Sequence, residues 1–164
     1  MSRDGTPSNE ASEEDYEMAV ERLRSELDVG TATDVGTPVS RTVDETIDGL
    51  FGDSQFEFED SQVKASLDEL LLALVAMRSS DTHGKQLLDD LAGDFDTALS
   101  PGTLYPRLHD LCEGGPLERR ELVKTKEYTF GDEREAGRTI ADAARQHLTL
   151  GMVFRAALER GDFE

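Results

Sequence analysis

The chain has no tryptophan, one cysteine and only four lysines in 164 residues. The lone Cys112 excludes an intrachain disulfide, as suits a reducing compartment. No apolar run approaches membrane-spanning length. The longest, residues 70–77, makes about two helical turns, where a span needs about 20 residues. The first fifteen residues, MSRDGTPSNEASEED, contain no apolar signal core. The chain is therefore expected to be soluble and cytoplasmic, with no membrane partner. Catalytic chemistry is missing as well. There is no paired nucleophile and base and no phosphate-binding loop, and His83, His109 and His147 share no ligand spacing. Neither an enzyme, a metal nor a cofactor is expected.

What the chain has in excess is negative charge. Thirty-six acidic residues against 17 basic ones give a net charge of −19. The imbalance is uneven: residues 1–62 carry −13 and residues 63–164 carry −6. Abundant Asp and Glu, scarce Lys and modest apolar content resemble the proteins of salt-in halophilic archaea. Surface acidity keeps a protein soluble where molar salt screens charge within about 3 Å.

The first 62 residues read as an acidic N-terminal extension. Residues 1–11 are polar and expected to be disordered. Residues 12–28 form an amphipathic pattern, with Tyr16, Ala19, Val20, Leu23 and Leu27 on one face. Residues 28–38, rich in Gly and Thr, read as a linker. A short, weak helix follows, capped by Thr42 with Glu45 and bounded by Gly49 and Gly52. Docking of these apolar faces on the domain, or a partner-binding arm, are the two readings of the extension.

Residues 63–131 are better organised. Ser66 and Glu69 suggest a capping box before the apolar helix LDELLLALVAM. A turn at 78–82 leads to a second helix, residues 83–91, and a turn at 93–98 follows. The most informative stretch comes next, LSPGTLYPRLHDL at 99–111. Ser100 and Pro101 are a helix-start signal, and Leu104, Leu108 and Leu111 share a face. The helix ends at Gly114 and Gly115. Residues 117–123 and 126–130 make a hairpin around Lys124 and Thr125. Asp132 with Glu135 then starts a final helix reaching about Arg160, which overshoots a small domain and needs another surface to cover its stripe. The expected fold is mostly α, with a small β-hairpin wing in a winged helix-turn-helix, a long C-terminal dimerisation helix over 132–164 and the acidic extension.

These parts resemble the PadR family of transcriptional regulators. The resemblance is carried by the LLLALVAM helix, by His83-Gly84, and above all by Ser100-Pro101-Gly102-Thr103-Leu104-Tyr105-Pro106. Leu117-Glu118, Lys126, Tyr128 and Ala136-Gly137 extend it over about residues 66–158. The chain departs from the family in having Lys85 where a Tyr usually follows His-Gly, and in a short wing without a Gly-rich tip. The resemblance implies a homodimeric repressor acting at a promoter.

The candidate DNA contacts are Ser100, Pro101, Gly102, Thr103, Tyr105 and Arg107 on the recognition helix, and Arg119, Arg120, Lys124 and Lys126 on the wing. The helix start offers backbone N–H groups and a positive dipole end to phosphate. Thr103 suits a base edge or a thymine methyl, Tyr105 a phosphate, and Arg107 a phosphate or a guanine. Strand alternation places Arg119 and Arg120 on opposite faces. The expected dimer contacts are Ile140, Ala144, Leu148, Gly151, Met152, Phe154 and Leu158. Double-stranded DNA with a roughly palindromic operator is the expected partner, and no effector is legible. Two other readings stay open: a protein–protein interaction module, and a redox-responsive regulator through Cys112.

Overall fold

The computed structural model describes residues 36–78 and 82–163. The polar start, the expected helix at 12–28 and most of the linker lie outside the described residues, as does the middle of the 78–82 turn. One compact unit begins at Thr37. It contains six helices and one hairpin among the described residues: α1 (Pro38–Phe51), α2 (Asp60–Ala65), α3 (Leu67–Met77), α4 (Gly84–Asp94), α5 (Pro101–Gly114), β1 (Leu117–Glu121), β2 (Lys126–Phe130) and α6 (Glu133–Arg160).

Helix α1 is longer and better anchored than the expected weak helix. Its start signal is Thr37-Pro38: the Thr37 hydroxyl accepts from the Ser40 N–H at 3.1 Å, and proline occupies the first turn. Thr42 is not its cap; its hydroxyl donates back to the Pro38 carbonyl at 2.8 Å. Val39 and Val43 are buried, and Ile47 continues that stripe against the core. Gly52 closes the helix at φ 61°, a conformation that glycine adopts without strain. The expected division at residues 62 and 63 falls inside α2.

Helix α3 is the centre of the core, with Leu67, Leu71, Leu72, Leu74 and Val75 buried. Burying a leucine side chain contributes roughly 1.5–3 kcal/mol, so this segment organises the rest. Ser66 joins α2 to α3 directly. Its side chain makes no cap bond, contrary to the expected capping box, and instead lies 2.8 Å from the Nε2 of His147 on α6. Arg78, just past α3, donates from Nε to the nearly buried Asp90 of α4 at 2.8 Å, fixing the angle between the two helices. Helix α4 runs about one turn past its expected end, and its Leu87 and Leu91 complete the core with Leu104 and Leu108 of α5.

The hairpin is antiparallel, with Leu117 opposite Phe130 and Glu121 opposite Lys126. β1 ends at Glu121, two residues earlier than expected. Residues 122–125 make the tip, closed by a bond from the Leu122 N–H to the Thr125 carbonyl at 2.8 Å. The other edge of β2 is also engaged: the Tyr128 N–H donates to the Thr82 carbonyl at 2.9 Å, and His83 bridges to Glu127. Asp132 caps α6 by accepting from the N–H groups of Arg134 and Glu135, both at 3.0 Å. The order α3, α4, α5, two-stranded hairpin and long final helix is consistent with a winged helix. No helix among the described residues is long and apolar enough to cross a membrane.

Candidate nucleic-acid interface

Helix α5 buries Leu104 and Leu108 and leaves the other side of its first two turns open. Pro101, Gly102, Thr103, Tyr105 and Arg107 are all exposed there. Ser100 stands at the cap position with extended backbone, and its carbonyl accepts from the Thr103 and Leu104 N–H groups. Its hydroxyl does not cap. It pairs with the Thr103 hydroxyl at 3.1 Å, so the two hydroxyls form one polar edge at the helix front. Pro106, inside the helix, has no N–H to give the Gly102 carbonyl, which leaves the front turn more polar still.

Arg107 is directed differently from the other front residues. Its guanidinium lies 3.3 Å from the Asp68 carboxylate on α3, with both groups about half exposed. A contact to DNA from Arg107 therefore competes with Asp68. On the hairpin, Arg119 reaches Glu121 at 3.3 Å. Arg119 pairs across the strands with Tyr128, and Arg120 with Glu127 on the opposite face. Tyr105, His109 and Cys112 line a cleft with Arg119, Lys126 and Tyr128. Tyr105 also borders a second cleft with Lys124 and Lys126. Helix α5 and the hairpin are thus brought together through Tyr105, while Arg120 faces away.

Two features of this surface emerge only from the packing. The Tyr105 ring lies on Gly84: a Cβ there would stand 2.6 Å from the Tyr105 hydroxyl oxygen and 2.7 Å from Cε1, so the ring would have to move. Leu122 is half exposed and Val123 fully exposed at the hairpin tip, beside Lys124. Burial pushes the Cys112 thiol above its ordinary value, with Glu118 adding to the rise and Arg119 opposing it. That shift favours the unreactive protonated thiol. Burial likewise raises Tyr128 and keeps its phenol neutral.

The expected dimer residues fall into two groups. Ile140 packs against the chain's own core, and with Ala144 it lines an apolar groove of about 410 Å³ between α6 and the α2–α3 segment. Leu148, Met152, Phe154 and Leu158 are each more than half exposed, and Gly151 has open space around it. Among the described residues no group of His, Cys, Asp and Glu is arranged to hold a metal ion.

The chain is similar to proteins named transcriptional activators in halophilic archaea. It is 38% identical to the transcriptional activator GvpE of Haloferax mediterranei over 123 residues, 74% of this chain and 64% of that protein. It is 37% identical to GvpE1 of Halobacterium salinarum over 123 residues, with the same coverage. GvpE2 of Halobacterium salinarum is 37% identical over 93 residues, 57% of this chain and 48% of that protein. The chain spans less than two thirds of the length of these relatives. No protein-family model matches it. No solved structure matches it either.

Proposed function

We propose that this chain is a DNA-binding transcriptional regulator that works at molar salt and places the front of α5 in the major groove. The observation that carries this reading is the exposed hydroxyl edge of Ser100 and Thr103, at the start of a helix set beside a hairpin that bears lysines. An α-helix fits the major groove, and short polar side chains at its N-terminal end reach base edges. The PadR-like order of elements supports the same role for α5. The relatives' names support regulation of transcription, and they favour activation over the repression that the PadR resemblance implies.

Net charge opposes DNA binding in general, so recognition rests on local groups. Each phosphate contact contributes a salt-dependent term with a slope near −0.9, and counterion release gives little at molar salt. Base contacts by Thr103 and apolar contacts by Leu122 and Val123 at the hairpin tip are not screened. Two copies, joined through the exposed half of α6, present two recognition helices to half-sites about one helical turn or a multiple apart. The roughly palindromic operator follows from that symmetry. The soluble, cytoplasmic placement belongs with the same reading.

The test is fluorescence anisotropy with the full chain at 2 M KCl, using a labelled duplex from upstream of its own gene and a shuffled duplex of equal length. The reading expects preference for the upstream duplex, and loss of that preference in Thr103→Ala. Equal affinity for both duplexes, or no binding, contradicts it. A reporter gene behind the same upstream DNA separates activation from repression: deletion of the regulator lowers expression in the first case and raises it in the second.

A further inference from the structure

Four lysines stand against 36 acidic residues in this chain, and three of the four border a single cleft. The cleft holds about 610 Å³ between the start of α4 and the hairpin tip. Lys85 comes from α4, and Lys124 and Lys126 come from the hairpin; His83, Tyr105 and the hairpin-tip residues Leu122 and Val123 are also in the wall. The fourth lysine, Lys64, lies elsewhere, tied to Asp60 at 2.6 Å. Lys85 is far from the other two in sequence, so only the topology gathers them.

The walls of this cleft are fixed to each other. The Tyr128 N–H donates to the Thr82 carbonyl at 2.9 Å, and the Nδ1 of His83 lies 3.2 Å from the Lys126 carbonyl. The missing side chain of Gly84 lets the Tyr105 ring lie against the first turn of α4, at the border of the same cleft. The one carboxylate bordering the cleft among the described residues is Glu121, and Arg119 holds it at 3.3 Å. Three lysines and a tyrosine bordering one cleft, on backbone that is hydrogen-bonded across it, suit a tetrahedral oxyanion. Lysine acts on phosphate as a point charge with three donors, so the match needs no planar geometry.

We propose that this cleft holds a backbone phosphate of bound DNA, gripped by Lys85 together with Lys124, Lys126 and the Tyr105 hydroxyl. The proposal rests on the DNA-binding reading above and adds Lys85 to it. A contact of this kind fixes register and carries no sequence information. Its role is therefore separable from that of Thr103.

The experiment measures binding of the full chain to the upstream and shuffled duplexes from 0.5 to 3 M KCl. Lys85→Gln is expected to weaken binding to both duplexes by the same factor and to lower the slope of log affinity against log salt by about 0.9, one contact's worth. The preference between duplexes stays at the wild-type value. Lys64→Gln, which removes the same charge outside the cleft, keeps the wild-type slope. An unchanged slope in Lys85→Gln, with wild type binding DNA, overturns the proposal and leaves the DNA-binding reading standing. An equal fall in Lys64→Gln also overturns it, because net charge alone is then being read. Failure of wild type to bind either duplex overturns the reading and the proposal together. Displacement of the duplex by micromolar inorganic pyrophosphate at constant ionic strength assigns the cleft to a free polyphosphate and overturns the assignment to the DNA backbone.

Discussion

The two halves of α6 carry one continuous stripe and meet different surroundings. Ala136, Ile140, Ala143 and His147 recur at helical spacing, and that face lies on α3 and the adjoining groove. Gly151, Phe154 and Leu158 continue the same face, yet Phe154 is 64% exposed and Leu158 66% exposed. The helix is about 42 Å long at 1.5 Å per residue, and the domain beneath it ends near His147. In the distal half, apolar residues also stand off the stripe, at Leu148, Leu150, Met152 and Val153. A helix apolar on most of its circumference is one that another surface covers. Identical periodicity thus reports that a face is to be buried without saying by what.

The largest expected effect breaks the proximal half. Ala136 is 1% exposed, so Ala136→Asp buries a charge without a partner and costs at least about 3 kcal/mol. Thermal melts followed by circular dichroism at 2 M KCl should show loss of the cooperative transition. Phe154→Glu in the distal half should keep the helical signal and convert the proposed dimer to a monomer in light scattering. A Phe154→Glu chain that remains dimeric, or that unfolds as Ala136→Asp does, removes the distinction between the halves.

Smaller substitutions sharpen it. Ile140→Ala, at a half-buried site, should cost about 1–2 kcal/mol of folding stability, whereas Leu158→Ala should shift the dimer equilibrium and leave the monomer's melt unchanged. A Cβ added at Gly151 would meet nothing within 4 Å, so Gly151→Ala should stiffen the free helix by about 1 kcal/mol. Weaker dimerisation in that variant would place a partner backbone against Gly151. The smallest effect belongs to the junction between the halves: Ser66→Ala removes the bond to His147 and should cost about 0.5–1 kcal/mol. Hydrogen exchange should register the loss at residues past 147 more than before it.

Much of this architecture is legible where local signals and tertiary packing agree. Ser100-Pro101 opens α5, Gly115 closes it at φ 109°, and Asp132 caps α6, each by chemistry confined to a few residues. Helix α1 reads as weak in sequence because Gly49 and Gly52 bound it closely; in the structure Gly49 lies inside the helix, where burial of Val39 and Val43 in the core outweighs its low propensity, and Gly52 is the C-cap. Ser66-Glu69 has the spacing of a capping box, but the turn from α2 into α3 directs the hydroxyl to His147. At the candidate interface, Thr103 and Tyr105 are legible from the helix start alone. Lys85 is not, because nothing local connects it to the hairpin. Arg107 looks free in sequence and is held by Asp68 from a helix that precedes it.

The most direct measurement is the mass of the protein–DNA complex, by light scattering after size exclusion at 2 M KCl with the upstream duplex. Two chains on one duplex is the predicted result, with Phe154→Glu giving free duplex or a weak complex of a single chain. A stable wild-type complex of one chain per duplex, unaffected by Phe154→Glu, would contradict the assignment of the distal half of α6 and the paired recognition helices built on it.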